Sequence, residues 1–292
     1  NSAGEKMIAK GIKEGERKFI MTLEEAQKIG NIDFLFFGGD MVTGYGERGL
    51  TGPTSLENVK KFKATLDNYF LGTPRQFMAG GHELGYVLPL STDPEGGPTE
   101  KSIQIFEENF NQLYYTYSEG RYKFVVLSSD LEMMSGGTES MIQRQKLQRE
   151  FYKDEITYTG PEQKVVLMIH DPNALAPMFN FLEPNLDKIE KTFSGHLHAQ
   201  WATQLFPNLC TLASSQLLEL PLKPLFDKYF PGKADEVWAY YSQYRNIDKI
   251  WKSVKLVTIP APGGIGGIGG GFLLADLKPE GIEVKKIKAP KE

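Results

Sequence analysis

The feature that most constrains this chain is a set of short apolar runs that stop at turns made of glycine, aspartate and histidine. Residues 32–37 (IDFLFF) end in Gly38-Gly39-Asp40, residues 76–79 close on Gly80-Gly81-His82-Glu83, and residues 165–169 stop at His170-Asp171-Pro172. The most apolar of these runs read as strands buried on both faces. Segments of helical period lie between them. Thr22-Leu23-Glu24-Glu25 has the form of a capping box, with Gly30 as the stop. Ser55 stands where it could cap a helix whose Leu56, Val59, Phe62 and Leu66 share one face. Thr99 opens a second helix with Ile103, Phe106 and Phe110 inward, and a polar helix is expected over 140–154. Two hairpins are expected, one from 114–117 to 122–127 and one from 272–277 to 282–287. Residues 186–192 read as helix, feeding Phe193-Ser194-Gly195-His196-Leu197-His198. Strands alternating with helices in this way make an α/β fold.

Composition removes several function classes. The 292 residues are 40% hydrophobic and 24% charged, which excludes a disordered or collagen-like chain. A net charge of −4 leaves no global basic field for a phosphate backbone, so nucleic acid is not an expected partner. The single cysteine, Cys210, excludes an internal disulfide framework and lies in an apolar context that suits burial. There is no apolar run long enough to span a bilayer, and residues 1–19 lack the apolar stretch of a signal peptide. The chain reads as one domain over 1–292 with an aromatic-rich helical insertion near 222–256, carrying Trp238, Tyr240, Tyr241, Tyr244 and Trp251. The glycine-rich stretch 260–271 is followed by a hairpin and has no Lys-Ser/Thr pair, so it is a loop and not a phosphate cradle.

The histidines carry the chemistry. There are four, His82, His170, His196 and His198, and each lies beyond a strand-like run or in a glycine-rich turn, with Asp40 at a further strand end. Several imidazoles and one carboxylate at strand ends are the ligand set of a transition metal. Two imidazoles two residues apart, as in Gly195-His196-Leu197-His198, can address two neighbouring ions.

The order Gly39-Asp40, Gly80-Gly81-His82-Glu83, His170 and Gly195-His196-Leu197-His198 resembles that of the calcineurin-like metallophosphoesterases, over about residues 20–288. The resemblance implies a four-layer α/β/β/α sandwich with two divalent transition-metal ions (Mn, Fe or Zn) at the strand ends. It implies that Asp40 bridges both ions, that His170 and His196 ligate one and that His198 ligates the other. His82 would approach the phosphate and its leaving oxygen as the catalytic residue, with Glu83 orienting its ring. The implied activity is hydrolysis of a small-molecule or lipid-linked phosphate ester. Thr43 occupies the position where purple acid phosphatases carry an iron-binding tyrosine, which disfavours a tyrosinate–iron centre.

Two departures from the family pattern matter. No Asp-x-His occurs in the sequence, and the polar opening resembles the segment downstream of that motif, so a strand ending in it is expected upstream of Asn1. Gly81 stands where the family carries a ligating Asn and offers no side-chain oxygen. The expectation is therefore a phosphate-ester hydrolase. The alternative is a degenerate relative that binds a ligand or partner without catalysis.

Overall fold

The central strand of the fold is β5 (Lys164–Ile169), whose Val165, Val166, Leu167 and Ile169 are fully buried and Met168 nearly so. The computed structural model describes residues 3–42, 49–85, 98–196, 246–260 and 271–288. β5 pairs in parallel with β4 (Tyr122–Leu127) on one side and β6 (Ile189–Ser194) on the other. β3 (Tyr115–Glu119) extends the sheet as an antiparallel hairpin partner of β4, and β7 (Leu256–Thr258) closes the far edge in parallel with β6. The result is a five-stranded, mostly parallel sheet of order β3-β4-β5-β6-β7.

Alternate residues serve opposite faces. Val125, Leu127, Val165, Leu167 and Ile169 meet Tyr152 and Ile156 of α6 (Glu139–Thr157), Leu175, Met178 and Leu182 of α7 (Leu175–Leu182), and Ile250 and Trp251 of α8 (Ile247–Ser253). Tyr122, Phe124, Val126, Val166, Met168 and Phe193 meet Met78, Phe34 and Phe36, together with Ile282 and Leu273 of the hairpin β8 (Gly271–Lys278)–β9 (Gly281–Lys288). Burial on both faces is why these strands are continuous apolar runs.

A second, smaller sheet is the parallel pair β1 (Leu35–Phe37) and β2 (Arg75–Phe77). The register partners Phe37 and Phe77 stack with centroids 5.1 Å apart. Around them pack Leu23 and Ala26 of α1 (Ala3–Ile29), Val59, Phe62 and Leu66 of α2 (Pro53–Phe70), and Ile103 and Phe106 of α4 (Glu100–Asn109). This cluster fixes the ends of β1 and β2, where the Gly38-Gly39-Asp40 and Gly80-Gly81-His82 turns begin.

Three local expectations are corrected. Residues 189–194 are strand β6, not helix. Thr22 is no N-cap: α1 starts at Ala3, and the Thr22 hydroxyl donates to the Lys18 carbonyl at 2.9 Å, as a threonine inside a helix does. Gly52, not Ser55, precedes α2, with Pro53 in the first turn and the Ser55 hydroxyl donating to the Gly49 carbonyl. The Thr99 cap and both hairpins are where the sequence puts them. His198, Thr43, Cys210, the insertion up to residue 245 and the glycine-rich stretch 261–270 lie outside the described residues. Among the described residues no helix is long and apolar enough to cross a membrane.

Candidate metal centre

Asp40 follows β1 in a left-handed backbone conformation, φ 54°, which few non-glycine residues adopt. Its placement is enforced from outside. Glu83, fully buried on the short helix α3 (Gly81–Leu84), accepts the backbone N–H of Asp40 (2.8 Å), of Gly80 (2.8 Å) and of Val42 (3.0 Å). One carboxylate thus ties the turn after β1 to the turn after β2. The Asp40 side chain completes the tie, since its Oδ1 accepts the His82 N–H at 2.9 Å. Glycine is required where the two turns meet: a Cβ on Gly80 would lie 2.4 Å from both the N and Oδ1 of Asp40. Gly39, at φ +88°, could carry a Cβ only at 2.4 Å from His170 Nδ1.

His170 leaves the end of β5 and is 1% exposed. Its Nδ1 contacts the Gly38 carbonyl at 2.6 Å, which fixes the ring and assigns that nitrogen the proton. Its Nε2 lies 3.0 Å from Asp40 Oδ2 yet makes no hydrogen bond. Two ligand atoms of one cation lie about this far apart. His196 follows β6, also in the left-handed region at φ 31°, with its ring centroid 5.4 Å from that of His170. Asp40, His170 and His196 each offer a ligand atom, and the three atoms lie within 4.8 Å of one another. Three protein ligands with an open position suit a catalytic zinc-like ion, so these residues fit a metal.

The electrostatics follow from burying several ionisable groups together. Burial alone would raise Asp40, but the neighbouring His170 charge, with a smaller contribution from His82, holds its carboxyl far below the usual carboxylate range. Burial alone would lower His170, but the Asp40 charge outweighs it and raises the imidazole to about 10. Burial, then the Asp40 charge, push Glu83 upward. Asp130, buried on α5 (Ser129–Met133) at the end of β4, is raised to about 8 by burial and by Asp40, Asp171 and Glu83 against the opposing pull of His170. Its Oδ2 has no hydrogen-bond partner. The centre is thus rich in carboxylate oxygens whose mutual repulsion a divalent cation would relieve.

The sequence-predicted residues divide into three groups. Asp40, His170 and His196 come together. His82 is exposed at the start of α3, outside the three-residue ligand group but tied to Asp40 through its backbone N–H. Glu83 does not act as expected: its two oxygens are used by three backbone N–H groups and not by the His82 ring. His198 lies outside the described residues. Sequence reasoning missed Asp130, although its signal was present, since Ser128-Ser129-Asp130 directly follows an apolar strand as the other site turns do. No protein-family model matches the chain, and no curated protein is similar to it.

Proposed function

We propose that this protein is a metal-dependent hydrolase of phosphate esters, built on the four-layer plan of the calcineurin-like metallophosphoesterases it resembles. The observation that carries the reading is the convergence of Asp40, His170 and His196 from three separate strand ends to within 4.8 Å. The order of the apolar clusters supports the layered plan: helices α6, α7 and α8 lie against the five-stranded sheet, and α1, α2 and α4 lie against the β1–β2 pair. The layer between holds the residues that the two sheets and the β8–β9 hairpin share.

In this reading Asp40 and the two imidazoles hold one metal ion, and the family resemblance assigns His198 to a second. A bound pair of ions would supply Lewis acidity and a water of lowered pKa. The chain's own residues do the rest. Glu83 keeps Asp40 oriented through the backbone. Gly38 holds the His170 ring so that Nε2 faces inward. The exposed His82 ring delivers a proton to the leaving oxygen of the ester. Phosphomonoesters, phosphodiesters and pyrophosphates all meet these requirements. Gly81, which presents no side-chain ligand atom, favours a binding module without catalysis.

The test is metal analysis of the purified protein alongside hydrolysis of p-nitrophenyl phosphate and its bis ester. Bound transition metal, turnover lost on chelation and restored by Mn2+ or Zn2+, and loss of both in His170→Ala are the expected results. Metal without turnover on any ester would select the binding module, and no metal would reject the centre altogether.

A further inference from the structure

We infer that Ser102, on α4, is a positioning residue for His82: its hydroxyl closes the C-terminal end of the short helix that carries His82. The inference rests on the reading above that His82 serves the leaving oxygen, and goes beyond it by naming a group outside the metal centre that holds His82 in place.

Helix α3 has only four residues. A helix that short has no stability of its own, so His82 is placed by whatever is fastened to the helix ends. At the N-terminal end the fastenings are the Asp40 carboxylate, which accepts the His82 N–H at 2.9 Å, and the Glu83 carboxylate, which accepts the N–H groups of Asp40, Val42 and Gly80. At the C-terminal end the helix stops at Gly85, in a left-handed backbone, whose N–H donates to the Gly81 carbonyl at 2.9 Å. The later carbonyls, that of Leu84 among them, have no partner within the helix. Leu84 is fully buried, so its carbonyl needs a donor from elsewhere in the fold.

Ser102, itself buried, supplies that donor. Its Oγ lies 2.9 Å from the Leu84 carbonyl oxygen. It also lies 2.9 Å from the Thr99 carbonyl, but that oxygen already accepts the Ile103 N–H at 3.0 Å. A serine hydroxyl has one proton to give and two lone pairs to offer. The lone pairs are met by the N–H and the hydroxyl of Thr99, each at 3.0 Å, which leaves the proton for Leu84. Among the described residues Ser102 is the donor to that carbonyl. Packing backs the bond, since Leu84 shares an apolar cluster with Ile103 and Phe106 of α4. Gly49 closes the same end from another side: a Cβ there would lie 2.6 Å from the Glu83 carbonyl oxygen and 2.7 Å from Gly85 N. Thr99 makes the natural control. It caps α4 by accepting the Ser102 N–H at 3.1 Å, and among the described residues its hydrogen bonds stay within α4 and its cap.

The experiment compares Ser102→Ala with Thr99→Ala in the full chain. Both damage the cap of α4, but only Ser102→Ala frees the Leu84 carbonyl. Ser102→Cys, close in volume and a weak donor, is a second variant. Three quantities are read: Zn2+ affinity, amide hydrogen exchange of α3 in the metal-free protein, and turnover of the phenyl and p-nitrophenyl forms of the ester the protein cleaves. The p-nitrophenolate leaves unaided, whereas the phenolate needs a proton from His82. In Ser102→Ala the Zn2+ affinity is expected to hold at the wild-type value and exchange in α3 to quicken at least about fivefold. Turnover of the phenyl form should fall about 10-fold or more, with the p-nitrophenyl form little changed. Ser102→Cys should move in the same direction, and Thr99→Ala should keep the wild-type exchange in α3 and the wild-type ratio of the two rates. A purely structural loss would lower both rates together. Equal behaviour of Ser102→Ala and Thr99→Ala in exchange and in that ratio would overturn the role of Ser102 while leaving that of His82 standing. A wild type without turnover, or a His82→Ala variant with the wild-type ratio, would overturn the role of His82 and this inference together.

Discussion

The two sides of the candidate metal centre are built by different means. On the β5 side, His170 sits at the end of a six-residue strand buried on both faces, and the packing of the sheet holds it. On the β1–β2 side the strands are three residues long and half-buried, too short to fix a side chain by packing alone. There, Asp40 is held by glycine turns, a left-handed backbone and a buried carboxylate that gathers three N–H groups. His196 is intermediate, with a mostly buried strand behind it but the same left-handed backbone as Asp40. Where a sheet is wide and buried, regular structure positions a ligand. Where it is narrow, polar tethers and local backbone strain take over, and strain of this kind persists only where the surroundings enforce it.

The contrast is open to direct attack. The largest effect is expected from Glu83→Ala, which leaves three N–H groups without partners, two of them buried, at about 1–3 kcal/mol for each buried one. Chemical denaturation should report a loss of more than about 3 kcal/mol, and Zn2+ affinity should fall with it because Asp40 is released. Leu167→Ala, in the core beneath β5, should cost roughly 2–5 kcal/mol while leaving the Zn2+ affinity of the folded protein within a few-fold of wild type. Equal loss of metal affinity in both variants would erase the distinction between tethered and packed sides.

A smaller, pH-dependent effect belongs to Asp130. Its carboxyl is raised from 3.8 to about 8 in the fold, so the folded state retains a proton that the unfolded chain releases. Stability of the metal-free protein is then greatest below pH 4 as far as this group is concerned. It declines as pH rises toward 8, by at most about 1.4 kcal/mol per unit. Asp130→Asn cannot ionise and should lack this decline, so that its melting temperature, compared in chelator from pH 5 to pH 9, gains on wild type as pH rises. A constant gap across that range would mean that Asp130 is ionised in the fold.

Much of this is legible in the sequence, for reasons that vary by element. The core strands β4 and β5 declare themselves as apolar runs, and the hairpins by their turns. β6 reads as helix in the sequence because Leu186, Ile189 and Phe193 fall at helical spacing by coincidence. Leu186 lies in the turn before the strand, while Ile189 and Phe193 lie within it. Thr22 and Glu25 match a capping box inside a helix that begins far upstream. Asp40, His170 and His196 are visible as residue types at strand ends. The left-handed backbones of Asp40 and His196 are not, because nothing in residue type alone marks them. The redirection of Glu83 is hidden for a different reason: it arises from the meeting of two turns that lie about forty residues apart (Asp40 and Glu83, |i−j| 43).

The central claim is that Asp40, His170 and His196 hold one ion in common. Anomalous diffraction from a Zn2+-loaded crystal, collected on both sides of the zinc edge, tests it most directly. The account predicts a zinc peak within about 2.0–2.2 Å of Asp40 Oδ2, His170 Nε2 and a His196 ring nitrogen. A peak elsewhere on the molecule, or none while His170 Nε2 stays against Asp40, would contradict it.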